Sequence, residues 1–127
     1  MAGNERHGPV LDQNVLKSIV EMIGADDPAI MLDLIDTYLL DSQRQVDELG
    51  NWLADGDFKT LHRMVHSLKS SSATFGAMTL SRLCESLERS AKEDCADGTC
   101  ASKIEAIRAE YLAVVDALRA ERVRFGG

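Results

Sequence analysis

The sequence has few of the residues that sheets and membrane spans need. Only 5% of its 127 residues are aromatic and two are proline, whereas strands favour aromatic and β-branched side chains. No apolar run approaches the roughly 20 residues that cross a bilayer, and the first residues lack the charged-then-apolar pattern of a secretory signal. We therefore expect an all-α protein that is cytoplasmic and makes no direct membrane contact.

The sequence also lacks an excess of basic residues. It contains 14 Lys and Arg against 21 Asp and Glu, which gives a formal net charge of −7. A nucleic-acid-binding protein gains its affinity by neutralising phosphates, which needs a positive surface. We therefore expect no nucleic-acid partner.

Cysteine is scarce and its count is odd. Cys84 lies in an apolar helical stripe, while Cys95 and Cys100 flank the short segment ADGT. A structural zinc site would need four ligands at closer spacing, and disulfides are rare in cytosolic proteins. We expect three reduced thiols, and a loop disulfide between Cys95 and Cys100 is the alternative.

Apolar residues recur at helical spacing in five segments. The predicted helices cover residues 12–23, 28–55, 57–77, 79–93 and 102–123. Gly76 is expected to end or kink the third of them. Asp27 before Pro28, and Asp57, are suitable N-caps, and Ser102 with Glu105 matches a capping box. The serines at 70–72 would locally favour a loop, but the apolar period continues through them, so we predict helix there.

Short connections between long helices favour antiparallel neighbours. We therefore predict a monomeric, antiparallel up-down four-helix bundle over residues 11–123, with the short N-terminal helix capping one end. Residues 1–10 and 124–127 are expected to be flexible.

The third helix has a polar face opposite its core face. On a helical wheel His66 lies about 140° from the apolar stripe of Leu61, Val65 and Leu68. The side chains that share its face are Lys59, His62, Arg63, Lys69, Ser70 and Ala73. Both helical histidines should therefore face solvent or a partner.

The charge of this helix differs from that of the rest of the chain. Residues 57–77 contain three basic residues and one acidic residue, net +2, which leaves −9 for the other 106. An exposed imidazole is a good nucleophile near neutral pH, and Lys69 one turn later could neutralise phosphoryl oxygens. Ser70 and Ala73 are small enough to let another protein approach the ring.

Metal chemistry fits this helix poorly. His62 and His66 are four residues apart, but the zinc-protease motif needs Glu directly after the first histidine and Arg63 stands there. Di-iron bundles place Glu three residues before a histidine, where this chain has Lys59 and Arg63. We expect no metal site and no autonomous enzymatic activity.

The sequence HSLKSSSATFGA from His66 to Ala77 resembles the signature of histidine-containing phosphotransfer domains, which reads approximately His-x-Leu-Lys-Gly-Ser-Ser-x-x-x-Gly-Ala. The similarity extends in architecture over about residues 11–118. Ser70 departs from the pattern, because the family commonly has Gly there to let a receiver domain approach.

The resemblance implies that His66 accepts a phosphoryl group from a receiver-domain aspartate and passes it to another receiver domain. It further implies that Lys69 steadies the phosphoryl group and that Ser70 lies at the contact. The receiver would bring the Mg²⁺, so the resemblance implies that this domain needs no cofactor of its own. Lys59, His62, Arg63 and Ala73 are expected to be surface neighbours that contact the partner. The alternative is a bundle that binds a receiver or another acidic protein through this basic face without phosphorylation.

Overall fold

The computed structural model describes residues 9–23 and 27–127, and these residues form five α-helices and no strand. The helices are α1 (Gln13–Ile23), α2 (Pro28–Ala54), α3 (Phe58–Thr74), α4 (Met78–Lys92) and α5 (Cys100–Arg124). The predicted all-α class is confirmed. None of the helices in these ranges is both long and apolar enough to cross a membrane.

Helices α2 to α5 form a closed bundle in which each helix contacts two others. The contacting pairs are α2 with α3, α3 with α4, α4 with α5, and α5 with α2. Each helix buries one apolar stripe in a common core, as the period predicts. Leu39, Leu53 and Leu83 are only partly buried and pack at its edge.

Polar pairs lie inside this core. The Tyr38 hydroxyl on α2 is 2.8 Å from Ser72 Oγ on α3, and Ser42 Oγ on α2 is 2.8 Å from the Tyr111 hydroxyl on α5. Both pairs are buried, and burial raises the pKa of each tyrosine. Because a buried hydroxyl is costly without a partner, these pairs fix how α2 sits against its neighbours.

The turn between α3 and α4 holds the N-terminal segment in place. Gly76 has a φ of +79° and ends α3, which is one of the two outcomes expected for it, and the last helical residue is Thr74. The Asp12 amide donates to the Gly76 carbonyl at 2.8 Å, and a Cβ on Gly76 would lie 2.8 Å from the Asp12 oxygen. Helix α1 begins directly after this contact and packs on the bundle through Leu16 and Ile19.

The predicted helix caps have mixed outcomes. Asp57 accepts a hydrogen bond from the Thr60 amide, as expected, but the side chain of Asp27 makes no capping bond. The capping box at Ser102 is wrong because α5 begins two residues earlier, at Cys100, so Ser102 lies inside the first turn. Its hydroxyl donates to the Thr99 carbonyl instead.

The loop between α4 and α5 carries a disulfide between Cys95 and Cys100. The expectation of three reduced thiols is therefore wrong for these two, while Cys84 is free and buried. The loop folds back on itself, with Asp97 accepting from the Ser90 hydroxyl at 2.7 Å and from the Thr99 amide at 3.0 Å. These bonds lower the pKa of Asp97 to about 2.

The predicted flexible segment at residues 1–10 lies largely outside the described residues. Val10 and Phe125, near the two ends of the described chain, are partly buried and pack against the core.

Candidate functional site

Helix α3 presents His66 at the molecular surface. Its side chain is 58% exposed, that of His62 is 38% exposed, and that of Lys69 is 26% exposed. The opposite side of the helix is anchored by Leu61, Val65 and Leu68, which are fully buried. The amphipathic pattern of α3 therefore determines which way the imidazole faces.

A carboxylate from the neighbouring helix contacts this face. Glu88 on α4 places Oε2 2.6 Å from His66 Nδ1 and Oε1 2.7 Å from Lys69 Nζ. The same Oε2 lies 3.8 Å from His62 Nε2. Glu88 thus joins the three side chains into one cluster, hereafter the Glu88 cluster (His62, His66, Lys69 and Glu88).

The contact fixes the chemistry of the His66 ring. An ionised carboxylate only accepts hydrogen bonds, so Nδ1 carries the hydrogen and donates it to Glu88. In the neutral imidazole the other ring nitrogen, Nε2, then keeps its lone pair. In its neutral form the ring therefore offers the lone pair of Nε2 from a largely exposed side chain.

Electrostatics keep both ends of the Lys69–Glu88 pair charged. Burial raises the pKa of Glu88, but hydrogen bonds from Lys69 and His66 outweigh it and leave the pKa below its ordinary value. The Glu88 hydrogen bond in turn raises the pKa of Lys69. At neutral pH the cluster therefore contains a carboxylate and an ammonium in contact. Lys69 lies on the polar face, as the helical wheel indicated, but it is paired with Glu88.

The other predicted site residues lie on the same face without contacting the ring. Lys59, Arg63 and Ser70 are exposed, and Ala73 is half-buried. In the part of the chain that the structure describes, none of them forms a hydrogen bond or ion pair with His66.

Sequence reasoning missed Glu88 as a site residue. The available signal was its position four residues after the buried Cys84, which places the two side chains about 40° apart on the helix. Glu88 therefore lies at the border of the core stripe. Which residue of α3 it contacts depends on how far α4 is shifted along the axis of α3. The apolar period of a single helix gives no information about that shift.

The described residues contain no arrangement of side chains suited to bind a metal ion. Within residues 9–23 and 27–127 no group of three His, Cys, Asp or Glu side chains is arranged to hold a metal ion. The one carboxylate beside the two histidines is also paired with Lys69.

The fold and the cluster together define an all-helical bundle that displays an oriented imidazole on one surface. The family model described as "Hpt domain" matches residues 33–121, so the chain belongs to the Hpt domain family. This membership assigns it a phosphotransfer role in two-component signalling.

A solved structure supports the same assignment. The chain is 32% identical to histidine-containing phosphotransfer protein B (HptB) from Pseudomonas aeruginosa PAO1, with a TM-score of 0.81. The similarity covers 93% of this chain and 98% of that one. A comparison with curated proteins found no match.

Proposed function

We propose that His66 is the residue that carries the phosphoryl group between receiver domains. The observation that supports this proposal is the 2.6 Å contact of His66 Nδ1 with Glu88 on an exposed ring, because this contact places the hydrogen of the neutral imidazole on Nδ1 and leaves the lone pair on Nε2. The donor is an aspartyl phosphate on one receiver domain, and the acceptor is an aspartate on another.

Neither transfer step requires the imidazole to lose a proton. The lone pair of Nε2 attacks phosphorus, the bond between phosphorus and the aspartyl oxygen breaks, and that oxygen leaves as a carboxylate. The ring, which still holds hydrogen on Nδ1, becomes cationic, and Glu88 stabilises that charge as an orienting carboxylate does in other histidine sites. In the second transfer the receiver carboxylate attacks phosphorus and Nε2 leaves with its electron pair.

Lys69 has the role of stabilising the phosphoryl oxygens. Its ammonium carries three N–H donors and uses one of them on Glu88. The other two are available to a phosphoryl group on His66, which lies about one helical turn before Lys69. Lys59, His62, Arg63, Ser70 and Ala73 form the surrounding partner contact.

The proposal extends to the whole chain. Residues 11–123 act as a monomeric, cytoplasmic carrier bundle. The carrier has no kinase or phosphatase activity of its own and no resident cofactor, because the imidazole and the partner's aspartate are the groups that exchange bonds with phosphorus in the steps above.

Labelling by a phosphorylated receiver tests the proposal. Wild-type protein should gain label that is labile in acid and stable in base, and His66→Gln should gain none. His62→Gln is the matched control, because it removes an imidazole from the same face four residues earlier and should still be labelled. Label that persists in His66→Gln would refute the assignment.

Binding without labelling is the competing outcome. If receivers of the source organism bind the basic face of α3 with measurable affinity while no label appears on wild-type protein, the chain is a docking bundle. Phosphotransfer profiling with each receiver, with binding measured in parallel, separates the two.

A further inference from the structure

His66 lies on a ridge of α3 between two grooves. The α3–α4 groove has a volume of about 370 Å³ and is lined by His62, Lys69, Glu85, Glu88, Arg89 and Lys92. The α2–α3 groove, about 340 Å³, lies on the other side, where Ser67 and Ser71 of α3 face α2. Ser67 directly follows His66, so a partner that reaches the ring also covers this second groove.

The α2–α3 groove is apolar at its base. Tyr38 and Phe75 line it with ring centroids 5.1 Å apart, and Ile19 of α1 closes one end. Leu34 at its side is 40% exposed. Burial of such a surface by a partner is a source of binding free energy.

Two carboxylates border this groove. Asp33 and Asp41 are exposed and line it. Among the described residues neither forms a hydrogen bond or an ion pair. By contrast Asp36, on the same helix, is bonded to Arg122.

The opposite groove has unpaired positive charge. Glu88 neutralises Lys69 there, but Arg89 and Lys92 are exposed and have no partner within the described ranges. With Glu85 counted, the lining of this groove has a net charge of one positive unit, whereas the α2–α3 groove is lined by two acids and no Lys or Arg.

We propose that the receiver domain that exchanges phosphoryl groups with His66 inserts an apolar ridge into the α2–α3 groove and places a lysine or arginine beside Asp33 and Asp41. This inference rests on the proposed function. The apolar contact supplies affinity, whereas the carboxylates determine orientation and partner choice, because a receiver with acidic residues at that position is repelled.

Charge favours a receiver over a second copy of this chain as the occupant. A two-fold dimer is isologous, so a dimer through this groove would bring two copies of Asp33 and Asp41 together. Like charges in contact oppose association. A partner with basic residues at the rim avoids this cost.

Phosphotransfer kinetics of the double variant Asp33→Asn/Asp41→Asn test the inference. The receiver that labels wild-type protein most efficiently is used, with Asp116→Asn as the matched control, since Asp116 is exposed on α5 and lines neither groove. We expect kcat/KM for the double variant to fall about 3- to 10-fold, the size of two exposed ion pairs, through KM and with kcat kept. The rate should also depend less on salt.

The outcomes separate this inference from the proposed function. If wild-type protein is labelled and the double variant shows the same KM and salt dependence, the docking inference fails while the role of His66 stands. If no receiver labels wild-type protein, both fail. A wild-type dimer in sedimentation that Leu34→Ser dissociates, with transfer rates unchanged, would assign the groove to self-association and also overturn the inference.

Discussion

Glu88 Oε2 on α4 lies 2.6 Å from Nδ1 of His66 on α3, and the other oxygen of the same carboxylate lies 2.7 Å from Lys69 Nζ. One side chain therefore both orients the imidazole and holds the neighbouring ammonium. A carboxylate in this position favours the tautomer with hydrogen on Nδ1, which leaves the lone pair of the neutral ring on Nε2. It also stabilises the cationic ring that forms when Nε2 is phosphorylated.

Glu88→Gln should slow phosphotransfer without preventing receiver binding. The amide can still accept from Nδ1, but it carries no charge to stabilise a cationic ring and cannot form an ion pair with Lys69. By analogy with partners that orient metal-binding histidines, we expect kcat to fall on the order of 10- to 100-fold with KM little changed. Glu93→Gln, at the exposed end of the same helix, is the control, and an equal kcat in both variants would contradict the orienting role.

The titration of Glu88 should depend on Lys69. The folded pKa of Glu88 is lowered from its ordinary value of 4.5, so the cluster's contribution to stability is present above pH 4.5 and is lost as pH falls through the lowered folded pKa. Lys69→Met should raise the pKa of Glu88, followed through its ¹³C carboxyl shift by NMR. Lys59→Met should leave the midpoint in place, and a midpoint that Lys69→Met does not move would argue against the ion pair.

Gly76→Ala should destabilise the fold more than Gly56→Ala. Both glycines have a left-handed φ, +79° and +69°, so each substitution costs about 1–2 kcal/mol of backbone strain. A Cβ at Gly56 meets nothing within 4 Å, whereas at Gly76 it meets the backbone of Asp12 at 2.8 and 2.9 Å. Urea unfolding should show a further loss of about 1–3 kcal/mol for Gly76→Ala, and equal losses would mean that the Asp12 segment does not pack there.

Reduction of the Cys95–Cys100 disulfide should lower the melting temperature. The bond closes a loop of six residues, for which the chain-entropy model gives about 2 kcal/mol. Protein purified and denatured without reductant should show one titratable thiol, that of Cys84, and three after treatment with a dithiol. The variant Cys95→Ala/Cys100→Ala should melt at a temperature that reductant does not change, and three thiols in the untreated protein would refute the disulfide.

The Tyr38–Ser72 pair should behave as a coupled unit. Tyr38→Phe leaves the buried Ser72 hydroxyl without its 2.8 Å partner, so unfolding should show a loss of about 1–3 kcal/mol. The double variant Tyr38→Phe/Ser72→Ala removes both polar groups and should cost less than the sum of the single variants. Additive losses in this cycle would show that the two hydroxyls do not interact.

Most of the bundle follows from apolar periodicity, and the departures occur at termini. The helix through the serines at 70–72 is confirmed because Ser72 faces the core and bonds Tyr38. The predicted start of α5 at Ser102 is wrong because the helix begins at Cys100, where the Cys95–Cys100 disulfide closes the preceding loop. The capping pattern at Ser102 gives no sign of this bond. The period of a helix locates its middle, while its ends depend on loop contacts.

The sequence by itself determined the all-α class, the core stripes and the face of α3 on which His66 and Lys69 lie, because helical periodicity is a local property. Only the tertiary structure decided that Glu88 joins both residues, that Cys95 meets Cys100, and that Asp33 and Asp41 border an apolar groove beside His66. These relationships depend on the offset and rotation between packed helices, which side-chain packing across the whole core sets.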